Sequence, residues 1–212
     1  HPSASASNTV SGASGVIGIT AVARAKPDGY TLTLGSTPGY ATAQALYSNL
    51  PYDPLRDFVP VMGVATVPNV LVVPPSLPVQ SVRELIAYLK ERPGQLSYGS
   101  VGPGSTQHLC ARMFEQLTGA SMIHVPYKGT APAMQDLLAG NVDLVMIDTA
   151  TGLPFIRDGR VRALAVLTEA RTAEAPTVPT MRELGTDAVA FGWQGISVPK
   201  GVPAEIVARL NA

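Results

Sequence analysis

Two short apolar runs, Leu144-Val-Met-Ile147 and Ala163-Leu-Ala-Val-Leu167, carry no polar residue at alternate positions. A strand with one wet face alternates, whereas a strand without alternation is covered on both faces. Sheets buried in this way are built mainly from parallel strands with helices packed over them. The segments around these runs fit that architecture. Helical patterns are expected over 15–25, 39–47, 81–92, 105–117, 130–139 and 149–157. Strands are expected over 30–34, 58–65, 70–73, 96–100, 123–126, 143–148, 162–167 and 189–198. The helix after Ser81 is the clearest: Ser81 and Glu84 form a capping-box pattern, and Val82, Leu85, Ile86 and Leu89 fall on one face. The expected fold class is therefore α/β, with mostly parallel sheets flanked by helices.

One strand-to-helix junction carries more chemistry than the others. Tyr98-Gly-Ser100 runs into Val101-Gly-Pro-Gly-Ser-Thr106, which opens directly into a helix. A helix start presents unpaired backbone N–H groups and the positive end of the helix dipole, so it attracts anions. Ser100, Gly102, Gly104, Ser105 and Thr106 are thus candidates for a carboxylate or phosphate cradle. The alternative is a plain turn with a Ser or Thr N-cap. No Gly-Lys-Ser/Thr follows the glycines, which argues against a nucleotide P-loop. Ser36 and Thr37, before Pro38-Gly39, repeat the pattern at another strand end. Asp148 also ends a strand, where it can cap the next helix, meet a ligand amine or order a water. In open α/β sheets ligands sit beyond the carboxyl ends of the strands, so Ser100–Thr106 and Asp148 are expected at one crevice.

Other function classes lose support. Fifteen basic and fifteen acidic residues give a net charge of zero, which offers no basic surface for nucleic acid or an anionic membrane. No apolar run approaches the roughly 18–20 residues of a membrane span. One cysteine precludes an intrachain disulfide. Gly-x-Ser-x-Gly, His-Glu-x-x-His and paired cysteines are absent. Cys110 stands two positions after His108, about 200° around the helix, so the two form no nucleophile–base pair. His124 lacks metal-ligand spacing with His108 or His1. No catalytic residue, metal or cofactor is assigned. The pattern favours a protein that holds a small anion over a hydrolase or transferase.

The chain resembles the periplasmic receptors of the tripartite tricarboxylate transporter family, also called Bug (Bordetella uptake gene) proteins. The resemblance lies in Gly12-Ala-Ser-Gly15-Val-Ile-Gly18, Ala23-Arg-Ala-Lys-Pro-Asp-Gly-Tyr-Thr-Leu32 and Leu50-Pro-Tyr-Asp-Pro-Leu-Arg-Asp-Phe58. It continues through Pro68-Asn-Val-Leu-Val-Val73, Tyr98 to Leu109, His124-Val-Pro-Tyr-Lys-Gly129, Gly159 to Val166, Trp193-Gln-Gly195 and Pro199-Lys-Gly-Val-Pro203. Departures are Thr9-Val10-Ser11, where the family has Asn-Arg-Pro, and Ala13-Ser14-Gly15, where it has Ala-Gly-Gly.

The resemblance implies a two-lobed flytrap fold with a ligand cleft between the lobes. Residues 8–69 plus 189–212 would form one lobe and 70–188 the other. The family's first strand with its glycine loop, and its terminal helices, would lie beyond both ends of the sequence. That implies a shortened chain, and no signal peptide is present in it. The implied function is capture of a small carboxylic acid in the periplasm and delivery to a membrane permease of the tripartite tricarboxylate type. A ligand-sensing role with a signalling partner is the alternative within the same family. Gly15, Tyr127 and Lys128 are candidate rim residues; for Lys128 the choice is between a solvated side chain and a charge that steers anions.

Overall fold

The computed structural model describes residues 15–212. The Gly12–Ser14 part of the first glycine turn, Thr9-Val10-Ser11 and His1 lie outside the described residues. The chain divides into two compact units, residues 1–65 with 193–212 and residues 66–192.

In the first unit, α1 (Val16–Ala23) begins at Gly15, whose φ of 87° is a left-handed conformation that favours glycine. Strand β1 (Thr33–Ser36) follows. It starts and ends later than the 30–34 expected, so Ser36 is its last residue. A π-helical turn, Pro38–Thr42, leads into the short helix α2 (Ala43–Leu46) where a continuous helix was expected. Strand β2 (Phe58–Val73) is a single 16-residue strand rather than two. Its Phe58–Ala65 half belongs to this unit. Strand β7 (Phe191–Pro199) pairs antiparallel with β1, Thr33 opposite Ser197 and Ser36 opposite Gln194. Helix α7 (Ala204–Asn211) closes the chain. The apolar centre here is small: Ile19, Val22, Tyr52 and Phe58 form one cluster, and Val61, Val198 and Val202 another. A Cβ built at Gly35 would fall on the Tyr40 ring, so glycine is what allows that ring to lie on β1.

The second unit holds the larger core. Its elements are α3 (Val82–Glu91), β3 (Ser97–Ser100), α4 (Thr106–Thr118), β4 (Ile123–Pro126), α5 (Thr130–Ala139), β5 (Leu144–Asp148), α6 (Thr149–Arg157) and β6 (Arg162–Val166). The strand order is β6-β2-β5-β3-β4. β3 pairs parallel with both β4 and β5. β2 runs antiparallel to β5 and β6. The sheet is therefore mixed, with β2 as the reversed strand.

The non-alternating runs are covered on both faces, as the sequence requires. Leu144 and Met146 point into one cluster with Leu71, Val73, Leu85, Leu89, Tyr98 and Phe114. Val145 and Ile147 point into another with Val70, Val72, Met134 and Leu137. Truncating such a leucine to alanine costs about 2–5 kcal/mol. The α3 start is capped: Ser81 Oγ accepts the Glu84 N–H at 3.2 Å, and Glu84 Oε2 accepts the Gln80 N–H at 2.7 Å. The reciprocal bond thus lands one residue earlier than a standard capping box. α4 is tied to β4 by Glu115, which is 6% exposed and accepts the Met122 N–H at 2.6 Å.

Candidate functional site

Register brings the candidate residues of the second unit to one sheet edge. β3, β4 and β5 run parallel and end at Ser100, Pro126 and Asp148. Asn69 of the reversed strand β2 lies opposite Asp148. That edge is where an open α/β sheet binds its ligands.

The loop after β3 is held from within. Gly102 and Gly104 have φ of 109° and 76°, conformations that a side chain would strain. Ser105 is the N-cap of α4: its Oγ accepts the His108 N–H at 3.2 Å and donates to the Gly102 carbonyl at 2.7 Å. Ser100 is fully buried; its Oγ accepts the Gly102 N–H at 3.0 Å and lies 2.6 Å from His124 Nε2. Both hydroxyls are therefore committed to the loop. Thr106 is half-buried, with its hydroxyl outside these bonds. Thr106 and Gln107 occupy the first two helical positions, where N–H groups have no intrahelical acceptor. The donors that the loop offers outward are thus backbone N–H groups and the Thr106 hydroxyl.

Asp148 caps α6, its Oδ1 accepting the Thr151 N–H at 2.8 Å. Of the readings open in the sequence, the helix cap is present in the structure. The Tyr127 hydroxyl donates to Asp136 Oδ2 at 2.7 Å, which lowers the Asp136 carboxyl and draws Tyr127 towards α5. Lys128 is exposed on the following loop. In the first unit, Thr37 Oγ1 accepts the Trp193 N–H at 2.9 Å, and the Tyr40 and Trp193 rings stack with centroids 6.2 Å apart.

Three features of this edge were not anticipated. Tyr98, His124 and His108 form a stacked column, with centroids 4.9 Å apart for Tyr98–His124 and 4.4 Å for His124–His108. Burial lowers both histidines from their ordinary value, aided by Arg112 for His108 and by His108 for His124. Ser100 and His124 are close enough for a nucleophile–base pair, yet the serine is sealed and already accepts a backbone N–H, so the pair braces the loop. Asn69, 1% exposed, has an Oδ1 with no hydrogen-bond partner among the described residues. A buried carbonyl oxygen in that state calls for an outside donor. A hollow of about 220 Å³ is lined by Thr66, Pro68, Thr168, Glu169 and Phe191. The larger hollow, about 300 Å³ between α5 and α6, contains none of the loop residues.

Cys110 is fully buried, and burial pushes its thiol up to about 12, so it is inert at neutral pH. Among the described residues no group of three or more His, Cys, Asp or Glu is arranged to hold a metal. No helix among them is long and apolar enough to cross a membrane.

The family described as "Tripartite tricarboxylate transporter family receptor" matches residues 7–212. The chain belongs to that receptor family. Protein BugT of Bordetella pertussis is 43% identical over 202 residues, covering 94% of this chain and 62% of the relative. A protein from the tcbD-tcbE intergenic region of Pseudomonas sp. strain P51 is 38% identical, covering 95% and 60%. The chain thus spans 62% and 60% of the length of these curated relatives. Among solved receptors, Rpa4515 of R. palustris with adipate has a TM-score of 0.87 at 41% identity, covering 94% of this chain and 67% of that one. MatC from Rhodopseudomonas palustris with bound malate has a TM-score of 0.82 at 34% identity, covering 94% and 68%. The periplasmic binding protein BugD has a TM-score of 0.82 at 39% identity, covering 94% and 67%. The α/β architecture of the chain is that of these receptors.

Proposed function

We propose that this chain is the solute-capturing part of a periplasmic receptor, that it binds a small carboxylic acid and that it delivers the acid to a membrane permease of the tripartite tricarboxylate type. The observation that carries this reading is the loop after β3. The two left-handed glycines turn the chain into α4, the first turn of α4 presents its unpaired Thr106 and Gln107 N–H groups, and Thr106 adds a hydroxyl. A carboxylate satisfies all of these donors, and the helix dipole favours its charge. Family members with adipate and malate support this class of ligand. Asn69 Oδ1 adds an acceptor for a hydroxyl, an amine or a bridging water. Ser36 and Thr37, at the end of β1 and directly after it, are proposed as ligand donors of the first unit.

The reading also holds that the ligand leaves unchanged. The one serine–histidine contact at the edge is buried, and the one thiol is protonated. Isothermal titration of the chain with adipate, malate, citrate and benzoate, with mass spectrometry of the recovered acids, tests both halves. Saturable binding of at least one acid, recovered intact, is the expected result. Silence across the panel, or turnover beyond stoichiometry, would overturn it.

A further inference from the structure

We propose that His108 and His124 are the positioning residues of the anion-binding loop, and that His108 holds its part of the loop only while its ring is neutral. The inference rests on the carboxylate reading for its functional meaning, but its geometry stands alone. The two imidazoles grip the loop at separate points. His124 Nε2 lies 2.6 Å from Ser100 Oγ, which in turn receives the Gly102 N–H. His108 Nδ1 accepts the Gly104 N–H at 3.2 Å. Both left-handed glycines are therefore fixed by one histidine each, the first through a serine and the second directly.

The second contact sets the protonation state. An N–H donor facing Nδ1 requires a lone pair there, so His108 carries its hydrogen on Nε2 and is neutral. Protonation would turn Nδ1 into a donor against a donor and break that bond to the Gly104 N–H. His124 can donate or accept at Nε2, so its own bond survives a charge. The stack couples them: with centroids 4.4 Å apart, a charge on one ring opposes a charge on the other.

The groups around the pair reinforce neutrality. Tyr98, stacked on His124, is pushed up to about 12 by burial and brings no charge. On α4, Arg112 lowers His108, while Glu115 acts in the opposite direction on both rings. The Glu115 carboxylate is occupied by Arg112 Nη1 at 2.5 Å and by the Met122 N–H at 2.6 Å. Burial and the neighbouring cations thus outweigh the one carboxylate.

Amide hydrogen exchange of the ¹⁵N-labelled chain at about pH 7.5 and about pH 5 tests the inference. After correction for intrinsic rates, protection of the Gly104 amide should fall about five- to tenfold on acidification. His108→Asn keeps an acceptor near the Nδ1 position without titrating, so its Gly104 amide should stay protected at both pH values. His108→Phe keeps the stack and loses the acceptor, and its Gly104 amide should show the lowered protection at both pH values. Side-chain ¹⁵N shifts of the native chain give a reading without substitution: His108 Nδ1 should report an unprotonated nitrogen at neutral pH. Adipate affinity, taken as the native-to-His108→Asn ratio to cancel the ligand's own protonation, should drop several-fold on acidification. A protonated Nδ1, pH-independent Gly104 protection, or a pH response retained in His108→Asn would overturn the proposal. Absence of adipate binding at both pH values would count against the carboxylate reading instead, with the amide result still decisive for the loop.

Discussion

Ser105 Oγ donates to the Gly102 carbonyl and receives the His108 N–H, whereas the neighbouring Thr106 hydroxyl takes part in neither bond. Adjacent hydroxyls at one helix start therefore divide the work. Ser105→Ala should cost about 0.5–2 kcal/mol as a lost N-cap, lowering the melting temperature by about 2–4 °C per kcal/mol. Thr106→Ala should leave the melt within error and weaken the bound carboxylate about tenfold, the value of one charge-assisted hydrogen bond. Calorimetric titration beside thermal melts decides it; the reverse pattern would exchange their roles.

Acid should loosen the protein through the same histidines. Both are lowered below the ordinary 6.5, chiefly by burial. A base whose folded value is depressed binds fewer protons when folded than when unfolded. Its stabilisation is full above the unfolded value and is lost as pH falls through 6.5 towards the folded value. The urea midpoint should therefore decline from about pH 7.5 to about pH 5. His108→Asn should flatten part of that decline. An equal slope in both proteins would show that other groups govern it.

Gly35→Ala should disturb the first unit. The new methyl group would occupy the space of the Tyr40 ring, and overpacking of this kind costs about 1–3 kcal/mol. Tyr40 stacks on Trp193, the single tryptophan, so intrinsic fluorescence is a direct readout. A changed emission maximum with a lowered melt is expected; an unaltered spectrum would mean that the ring moves aside freely.

Glu115→Ala should destabilise the second unit by about 1–3 kcal/mol, because the buried Met122 N–H would lose its acceptor. Glu115→Gln retains a carbonyl oxygen and should recover most of the loss in denaturant melts. If both variants behave alike, the Arg112 ion pair rather than the Met122 bond is what matters.

What could be read in the sequence was local. The α/β class followed from Leu144–Ile147, whose burial on both faces is a property of four consecutive residues. The Ser105 cap and the Ser81–Glu84 pair are contacts at short spacing, and their side-chain chemistry announces them. The histidine column was not legible, because it depends on β3 and β4 pairing with Tyr98 opposite His124. Asn69 was not legible for a related reason: only the β2–β5 register sets it against Asp148. The unity of β2 was hidden by Pro68, which has no N–H and ordinarily marks the end of a paired segment. A polar residue directly after a Pro and directly before an apolar run was the one available hint at Asn69.

Strand β7 gives the polypeptide an order of assembly. Thr33 takes Ser197 as its partner, 164 positions later by subtraction, so the first unit's sheet closes only across a long intervening stretch of chain. Residues 66–192, by contrast, form one uninterrupted stretch with its own core. The second unit is therefore free to consolidate first, while the segment around β1 remains without its distant mate and bears the slow, long-range closure. A chain ending at residue 190 should accordingly resist protease over 66–190 and be cut within 15–65; protection of both stretches would show that β1 finds shelter without β7.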